Sequence, residues 1–353
     1  MKKIFLKTVL TIFIALFALT SFNTFAGAKE MKLIFATFEP EPGPWAQLMK
    51  VVAKDIGTAT SGQVTVTCSF GGALGGPGEF YDLVKKRIVD MALSVPAFGN
   101  PGQFPILDTI ALPYIIPTAE IGSQAMTMFY DKGYLDQEFK DVKPLWFQTG
   151  QGVTLFTRDH PVRTLDDVKG LKIFAATPLE QEKVKLWGGT PVAVPMTDLY
   201  MALNKKIIDG ILFNYNGMVL FKLNEELNFN TQPGSGCVSS CIIVNKDVYK
   251  NLPPEAKKFL EENKMKYAKM FGQGWDKLCT MGKDLFLKTG GQEVHWDPKS
   301  MEKRNQLESP MWDKFIADTE KKGFPGRQAV NGLYNILKDL GVDPTAIGYT
   351  PAK

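Results

Sequence analysis

Two histidines, His160 and His295, make up the whole imidazole complement of the 353 residues, and neither belongs to a cluster of Cys, Asp or Glu at metal-ligand spacing. His160 precedes Pro161 in a turn, which reads as a surface position. No Ser occupies a Gly-x-Ser-x-Gly elbow, so no nucleophile stands beside an evident base. No catalytic residue, metal or cofactor is expected. The acidic pairs Glu39 with Glu41, Glu180 with Glu182 and Glu225 with Glu226 could in principle supply acid and base, but pairs this close usually mark solvated faces. Gly71, Gly72, Gly75, Gly76 and Gly78 could form a phosphate cradle. They lack both a closing Gly-Lys-Ser or Gly-Lys-Thr and the dinucleotide spacing, so the other reading is a tight turn before a helix. The amides of that helix start could still meet a ligand, which makes Leu74, Gly75 and Glu79 candidate contacts. Large aromatics gather near expected strand ends: Phe38 and Trp45, Phe70, Trp146 and Phe147, Phe174, and Phe213 with Tyr215. Most such rings are core, yet open α/β sheets bind ligands at the carboxyl ends of their strands. Phe38, Phe174 and Phe213 hold such ends, so at least one should face a ligand.

The elements that must position these residues alternate between strand and helix, the pattern of α/β layers. Residues 32–38, 64–70 and 89–93 read as strands, and 45–59 and 79–87 as helices. A helix at 118–132 leads to apolar runs at 142–147 and 153–157, which form either one long bent strand or two. A second series opens at Thr164, an N-cap followed by Asp166 and Asp167. It continues as strand 172–175, helix 178–187, strand 191–195, helix 197–205 and strand 208–213. Residues 253–288 repeat apolar positions at helical spacing over a length of roughly 50 Å at 1.5 Å per residue. A helix that long could brace two lobes, with Gly272, Gly274 and Gly282 as candidate bend points. The charged segments 298–322 and 327–340 are helical in pattern.

Lys2, Lys3 and Lys7, an apolar stretch over 9–22 and the small residues Ala26, Gly27 and Ala28 follow the order of a secretory signal peptide, assigned to 1–28; the alternative is an uncleaved anchor. Without its three lysines the chain carries 38 basic and 37 acidic residues, and no basic block is interleaved with aromatics, which argues against nucleic acid as a partner. Cys68, Cys237, Cys241 and Cys279 do not follow a disulfide-scaffold pattern. Cys237 and Cys241 share a predicted strand at 237–244, where four steps span about 13 Å, beyond the roughly 7 Å reach of a bridge. Buried free thiols, or a bridge from Cys68 to a distant partner, are the two readings. About 325 mature residues exceed one ordinary core, so two domains are expected.

Several stretches together resemble the solute receptors of tripartite ATP-independent periplasmic (TRAP) transporters, of the DctP type. They begin with Phe38 through Trp45 and the turn Gly72-Ala73-Leu74-Gly75-Gly76. The most specific is Pro161-Val162-Arg163-Thr164-Leu165-Asp166-Asp167-Val168-Lys169-Gly170-Leu171-Lys172-Ile173, with Gly188, Pro191 and Val194-Pro195-Met196 after it. Tyr200-Met201-Ala202-Leu203, Asp209-Gly210, Asn245-Lys246-Asp247 and Leu252-Pro253 follow in family order. The resemblance implies an α/β, two-lobed periplasmic-binding-protein fold with hinge strands and a long bracing helix. It also implies a soluble periplasmic receptor, not an enzyme, that closes over a small organic solute and delivers it to membrane permease subunits. A sensory receptor would carry the same features. The expected lobes are discontinuous: 29–150 plus 237–270, and 151–236 plus 271–297, with helices of 298–353 packing on them and crossings near Gly150 and Gly234.

One departure shapes the expected ligand. Where the family usually places an Arg that forks onto a ligand carboxylate, this chain has Phe174, and a second family Arg aligns with Val153. The segment after Asp209-Gly210, commonly polar in the family, reads Ile211-Leu212-Phe213-Asn214-Tyr215. Burying a carboxylate without a counter-charge is costly, so a C4 dicarboxylate or sugar acid does not suit this chain. The expected ligand has an apolar or aromatic body against Phe174 and Phe213, near Phe38 and Met196, with polar ends met by Glu39, Gln148, Gln151 and Asn214. A carboxylate held by the Gly75 turn or by a lysine is the rival.

Overall fold

Met31–Ala36 puts Leu33, Phe35 and Ala36 into the interior and forms β1, followed by helix α1 (Pro44–Ala59), β2 (Val64–Ser69) and β3 (Met91–Ser94). Helix α2 (Ala119–Asp131), capped by the Thr118 hydroxyl, precedes β4 (Val142–Thr149). The chain continues through β5 (Val153–Thr157), β6 (Lys172–Phe174), α3 (Pro178–Leu186), β7 (Thr190–Val192), β8 (Gly210–Phe213), β9 (Phe229–Ser235) and β10 (Ser239–Asn245). Helix α4 (Pro254–Lys288), β11 (Gln292–His295), α5 (Pro298–Glu308), α6 (Pro310–Lys321) and α7 (Gly326–Asp339) complete it. This computed structural model describes residues 30–343 except 42, 100–101 and 114–115. The expected signal peptide at 1–28 lies outside the described residues.

The strands form two mixed sheets. The first has the order β2-β1-β3-β10-β4, with β1, β2 and β3 parallel and β10 antiparallel to both β3 and β4. The second has the order β11-β9-β5-β8-β6-β7, with β5 antiparallel to β8 and β9. The apolar runs around Gly150 are thus two strands in different sheets, and the chain passes between the sheets at 150–152 and again at 236–238. Gly234 itself lies within β9.

Helix α4 runs unbroken for 35 residues, with Pro253 as its N-cap and Pro254 in its first turn. It packs on α1, α2 and β4 of the first sheet's layer and on the short helix Asn216–Leu220 of the second. Its glycines are points of close approach. A Cβ on Gly272 would sit 2.5 Å from the Cα of Glu120, and one on Gly282 would sit 1.9 Å from the carbonyl oxygen of Tyr215. Absence of a side chain lets α4 touch backbone on both sides, and that requirement explains these positions better than a bend.

Hydrophobic cores lie on both sides of each sheet. Trp312, Ile316, Val330, Leu333 and Leu337 of α6 and α7 enter the first sheet's core with Phe80, Phe104 and Phe147. Met301 and Leu307 of α5 pack on the second sheet's core with Trp187 and Trp296. Pro310 divides the charged C-terminal segment into two helices. All four cysteines are free thiols, three of them buried, and burial pushes the Cys237 and Cys241 thiols well above their usual range.

Candidate functional site

A cavity of about 100 Å³ lies where the strand ends of the two sheets meet under α4. Phe38 and Glu39 follow β1, Leu93 lies one residue before the end of β3 with Val95 and Phe98 just beyond it, and Gln148 and Thr149 close β4. The second sheet brings Val153 of β5, Ala176 after β6, Met196 after β7, and Leu212, Phe213 and Asn214 at the end of β8. Helix α4 adds Phe271 and Trp275, one turn apart on the same face. Trp45 of α1 rests against Trp275, with ring centroids 4.2 Å apart and planes tilted by 47°. Both sheets therefore present carboxyl strand ends to one space, the usual ligand position in open α/β sheets.

The wall is largely apolar, with aromatic rings prominent in it, and no Lys, Arg or His lines it among the described residues. Part of its polar lining is left unsatisfied by the protein. Gln148 Oε1, Asn214 Oδ1, Asn216 Oδ1 and Trp275 Nε1 are buried with no hydrogen-bond partner among the described residues. Such atoms are costly in a folded protein unless something else meets them. Gly150 lies beneath this set: a Cβ there would come within 3.0 Å of both Asn214 Nδ2 and Trp275 Nε1.

Among the described residues two carboxyl groups line the cavity, and they differ. Glu180 is committed to a capping box, accepting from the amides of Ala176 (2.8 Å) and Thr177 (3.1 Å). Glu39 is 5% exposed, and its side chain has no hydrogen-bond or ionic partner among the described residues. Burial alone pushes its pKa up to about 7. Its backbone is fixed at both ends: its amide donates to Thr37 Oγ1 (3.1 Å), and its carbonyl accepts from Gly71 (2.7 Å).

Of the residues expected from sequence, Phe38, Glu39, Gln148, Met196, Phe213 and Asn214 come together around this cavity. Five do not. Phe174 is 2% exposed and packs with Phe156, Leu199 and Ile211 inside the second sheet's core, so the ring replacing the family's guanidinium is core and not cavity wall. Gln151 donates its Nε2 to Asp276 Oδ1 (2.7 Å) and points at α4. Leu74 is 40% exposed on the surface. Gly75 and Glu79 belong to a turn whose amides are consumed internally: Gly71 donates to Glu39, Gly72 to Thr37, Gly75 to Gly72, and Gly76 to Glu79 Oε2. Gly71 and Gly72 adopt the left-handed conformation this requires, with φ of 68° and 70°. The turn's effect on the site is to hold Glu39 in place.

Residues that sequence reasoning left out include Phe98, Asn216, Phe221, Phe271 and Trp275. Phe98 lies just past a strand end, so the rule that singled out Phe38 applies to it as well. Phe271 and Trp275 look in sequence like any apolar pair on a buried helix face. Arg158, the nearest thing to a guanidinium on a crossing strand, is turned to Glu226, 2.7 Å away, and not to the cavity. Val153, at the other family Arg position, does line it.

Two sheets joined by two short crossings and a third passage through the long helix that braces both, with a cavity between their strand ends, define a two-lobed solute receptor. The model of the bacterial extracellular solute-binding protein family 7, DctP, matches residues 35–319, and the chain belongs to that family of TRAP solute receptors. It is 23% identical over 288 residues to a solute-binding protein of Chromohalobacter salexigens, covering 79% of this chain and 83% of that one. A marine metagenome TRAP solute-binding protein from an unidentified microbe, specific for aromatic acid ligands and solved with metahydroxyphenylacetate, is 26% identical. It superposes with a TM-score of 0.81 over 88% of this chain and 99% of its own. A TRAP solute-binding protein of Rhodoferax ferrireducens, 23% identical and covering 88% and 98% of the two chains, shares the fold at a TM-score of 0.81. Among the described residues no helix is long and apolar enough to cross a membrane, and no group of three His, Cys, Asp or Glu is placed to hold a metal ion.

Proposed function

We propose that this receptor is exported by its basic and apolar N-terminus to the periplasm, closes two lobes over a small solute with an apolar or aromatic body, and passes it to the membrane permease of a TRAP transporter. The observation that carries the ligand class is the wall itself: Phe38, Trp45, Phe213 and Trp275 surround the cavity, and no basic side chain lines it among the described residues. A cavity of about 100 Å³ suits a single ring or a body of that size; an engineered apolar cavity of about 150 Å³ takes up benzene. Buried amides at Gln148, Asn214 and Asn216 would orient polar ends of the guest. Contacts from both sheets would stabilise the closed form by differential binding. The lobes are taken as 29–150 plus 237–270 and 151–236 plus 271–297.

A second reading, an aromatic acid, is favoured by the relative specific for aromatic acid ligands. Here the acid would meet Asn and Gln amides and the Trp275 N–H instead of a guanidinium. Mass spectrometry of the solute that co-purifies with the exported protein, followed by calorimetry with that compound, tests the proposal. A bound compact apolar or aromatic molecule supports it. A sugar acid or C4 dicarboxylate in the cavity would overturn it.

A further inference from the structure

We propose that the cavity selects a guest bearing a positively charged nitrogen, seated between the Glu39 carboxylate and the faces of the surrounding aromatic rings. This deepens the proposed function by assigning the charge of the ligand, and it rests on that reading.

Among the described residues the ionisable side chains that line the cavity, Glu39 and Glu180, are both acidic. Glu180 already accepts two backbone amides, so its charge is spoken for. Glu39 is equally buried but accepts nothing through its side chain among the described residues, and the neighbouring cation on α1, Lys50, pairs with Glu41 at 2.8 Å instead. An isolated carboxylate in an apolar setting is among the most expensive groups a fold can hold. A guest that supplies the missing positive charge would relieve that cost on binding, so the strain of the unliganded site becomes affinity.

The rest of the wall matches such a guest. Phe38, Trp45, Phe213 and Trp275 offer the negative faces of their π-systems, and a desolvated cation over such faces is attracted by about 2 kcal/mol. The unsatisfied oxygens of Gln148, Asn214 and Asn216 are hydrogen-bond acceptors suited to N–H donors, and each amide can also turn its nitrogen inward for a second polar end of the guest. The hydrogen bonds of Glu39's own backbone to Thr37 and Gly71 fix the main chain from which the carboxyl projects, which lowers the ordering cost of binding. A carboxylate guest faces the opposite balance. It would bring a second negative charge into the cavity unless Glu39 kept its proton, and it would meet one orphaned donor of fixed identity, Trp275 Nε1.

Three probes of one ring size separate these cases: benzylamine, benzyl alcohol and benzoate, titrated calorimetrically at about pH 8 into protein stripped of ligand, where the amine is charged and Glu39 is ionised. Benzylamine is expected to bind about tenfold tighter than either other probe or better, and Glu39→Gln to erase that preference. Circular dichroism verifies that the variant is folded, and the wild-type ranking stands without any variant. Benzoate binding tightest overturns the inference, as does a preference for benzylamine that survives Glu39→Gln. Equal binding of all three sinks the charge assignment but leaves the aromatic-body reading intact. Failure of all three, with an aliphatic acid co-purifying, sinks both.

Discussion

The Lys183 ammonium, on helix α3 of the second sheet's layer, donates to the carbonyl of Ala111, which ends the short 3-10 helix Leu107–Ala111 packed in the first sheet's core, 3.0 Å away. The bond joins the layers of the two sheets, so under the proposed two-lobe motion it lies at the junction between them. Lys183 is 1% exposed, and burial pushes its pKa down, opposed by the nearby Glu308 and Glu180 carboxylates. Lys183→Met would leave those acids without their cation and remove the link between layers. A loss of about 3 kcal/mol in urea unfolding is expected, together with a larger radius of gyration by X-ray scattering in the presence of ligand. Unchanged stability and unchanged compaction would show that Lys183 does not join the layers.

Asp276 of α4 holds three donors at once: the amides of Ala119 (2.8 Å) and Glu120 (3.0 Å) at the start of α2, and Nε2 of Gln151 (2.7 Å) in the first crossing. A carboxylate at a helix start satisfies amides that have no partner inside the helix and favours the positive end of its dipole. Asp276→Ala should cost about 1–2 kcal/mol through the lost cap alone and free Gln151 as well. Hydrogen exchange of residues 119–121 and 150–152 should rise together in the variant. Faster exchange at 119–121 alone would mean that the crossing is held by other contacts.

The reach of the sequence can be judged from particular residues. Phe38 and Phe213 were legible because each ends an apolar run that must be a strand, and strand ends in open sheets face the ligand. Phe174 fulfils the same rule, but its ring goes to the face of the sheet packed with Phe156, Leu199 and Ile211, and Ala176, two residues further on, takes the place at the cavity. Gln151 was an apt polar candidate whose partner, Asp276, is 125 positions away in sequence and could not be seen from spacing. Strand β9 gave no pattern signal because Pro233 and Gly234 fall inside it, residues that argue against a strand. Trp275 was hidden because helical periodicity marks a buried face without saying whether protein or cavity lies opposite.

Gly282 offers a test of the bracing helix. Its missing side chain lets α4 lie against the Tyr215 carbonyl, where a Cβ would stand at 1.9 Å. Helix propensity alone predicts that Gly→Ala in mid-helix stabilises by roughly 1 kcal/mol. Here the clash should dominate, and Gly282→Ala is expected to destabilise by about 2–3 kcal/mol and weaken ligand binding, since Asn214 and Asn216 flank Tyr215 and line the cavity. A more stable variant by urea unfolding would show that α4 can shift away from the second sheet without cost.

Glu39 gives the folded protein a pH dependence of definite sign. Its carboxyl titrates near its ordinary value of 4.5 when the chain is unfolded and at about 7 when burial surrounds it. Below pH 4.5 both states hold the proton, and this group costs the fold nothing. Between there and about pH 7 the unfolded chain ionises while the folded one does not, so its contribution turns progressively unfavourable. Above pH 7 the penalty is complete, at about 3 kcal/mol. Glu39→Gln cannot ionise and should escape it. In ligand-free protein the variant is therefore expected to match the wild type near pH 4.5 and to exceed it by about 3 kcal/mol at pH 8 in urea unfolding. Other buried acids contribute equally to both proteins and cancel in the comparison. A wild type as stable as Glu39→Gln at pH 8 would mean that the carboxylate has a partner within the protein, and a guest would then gain nothing by bringing one.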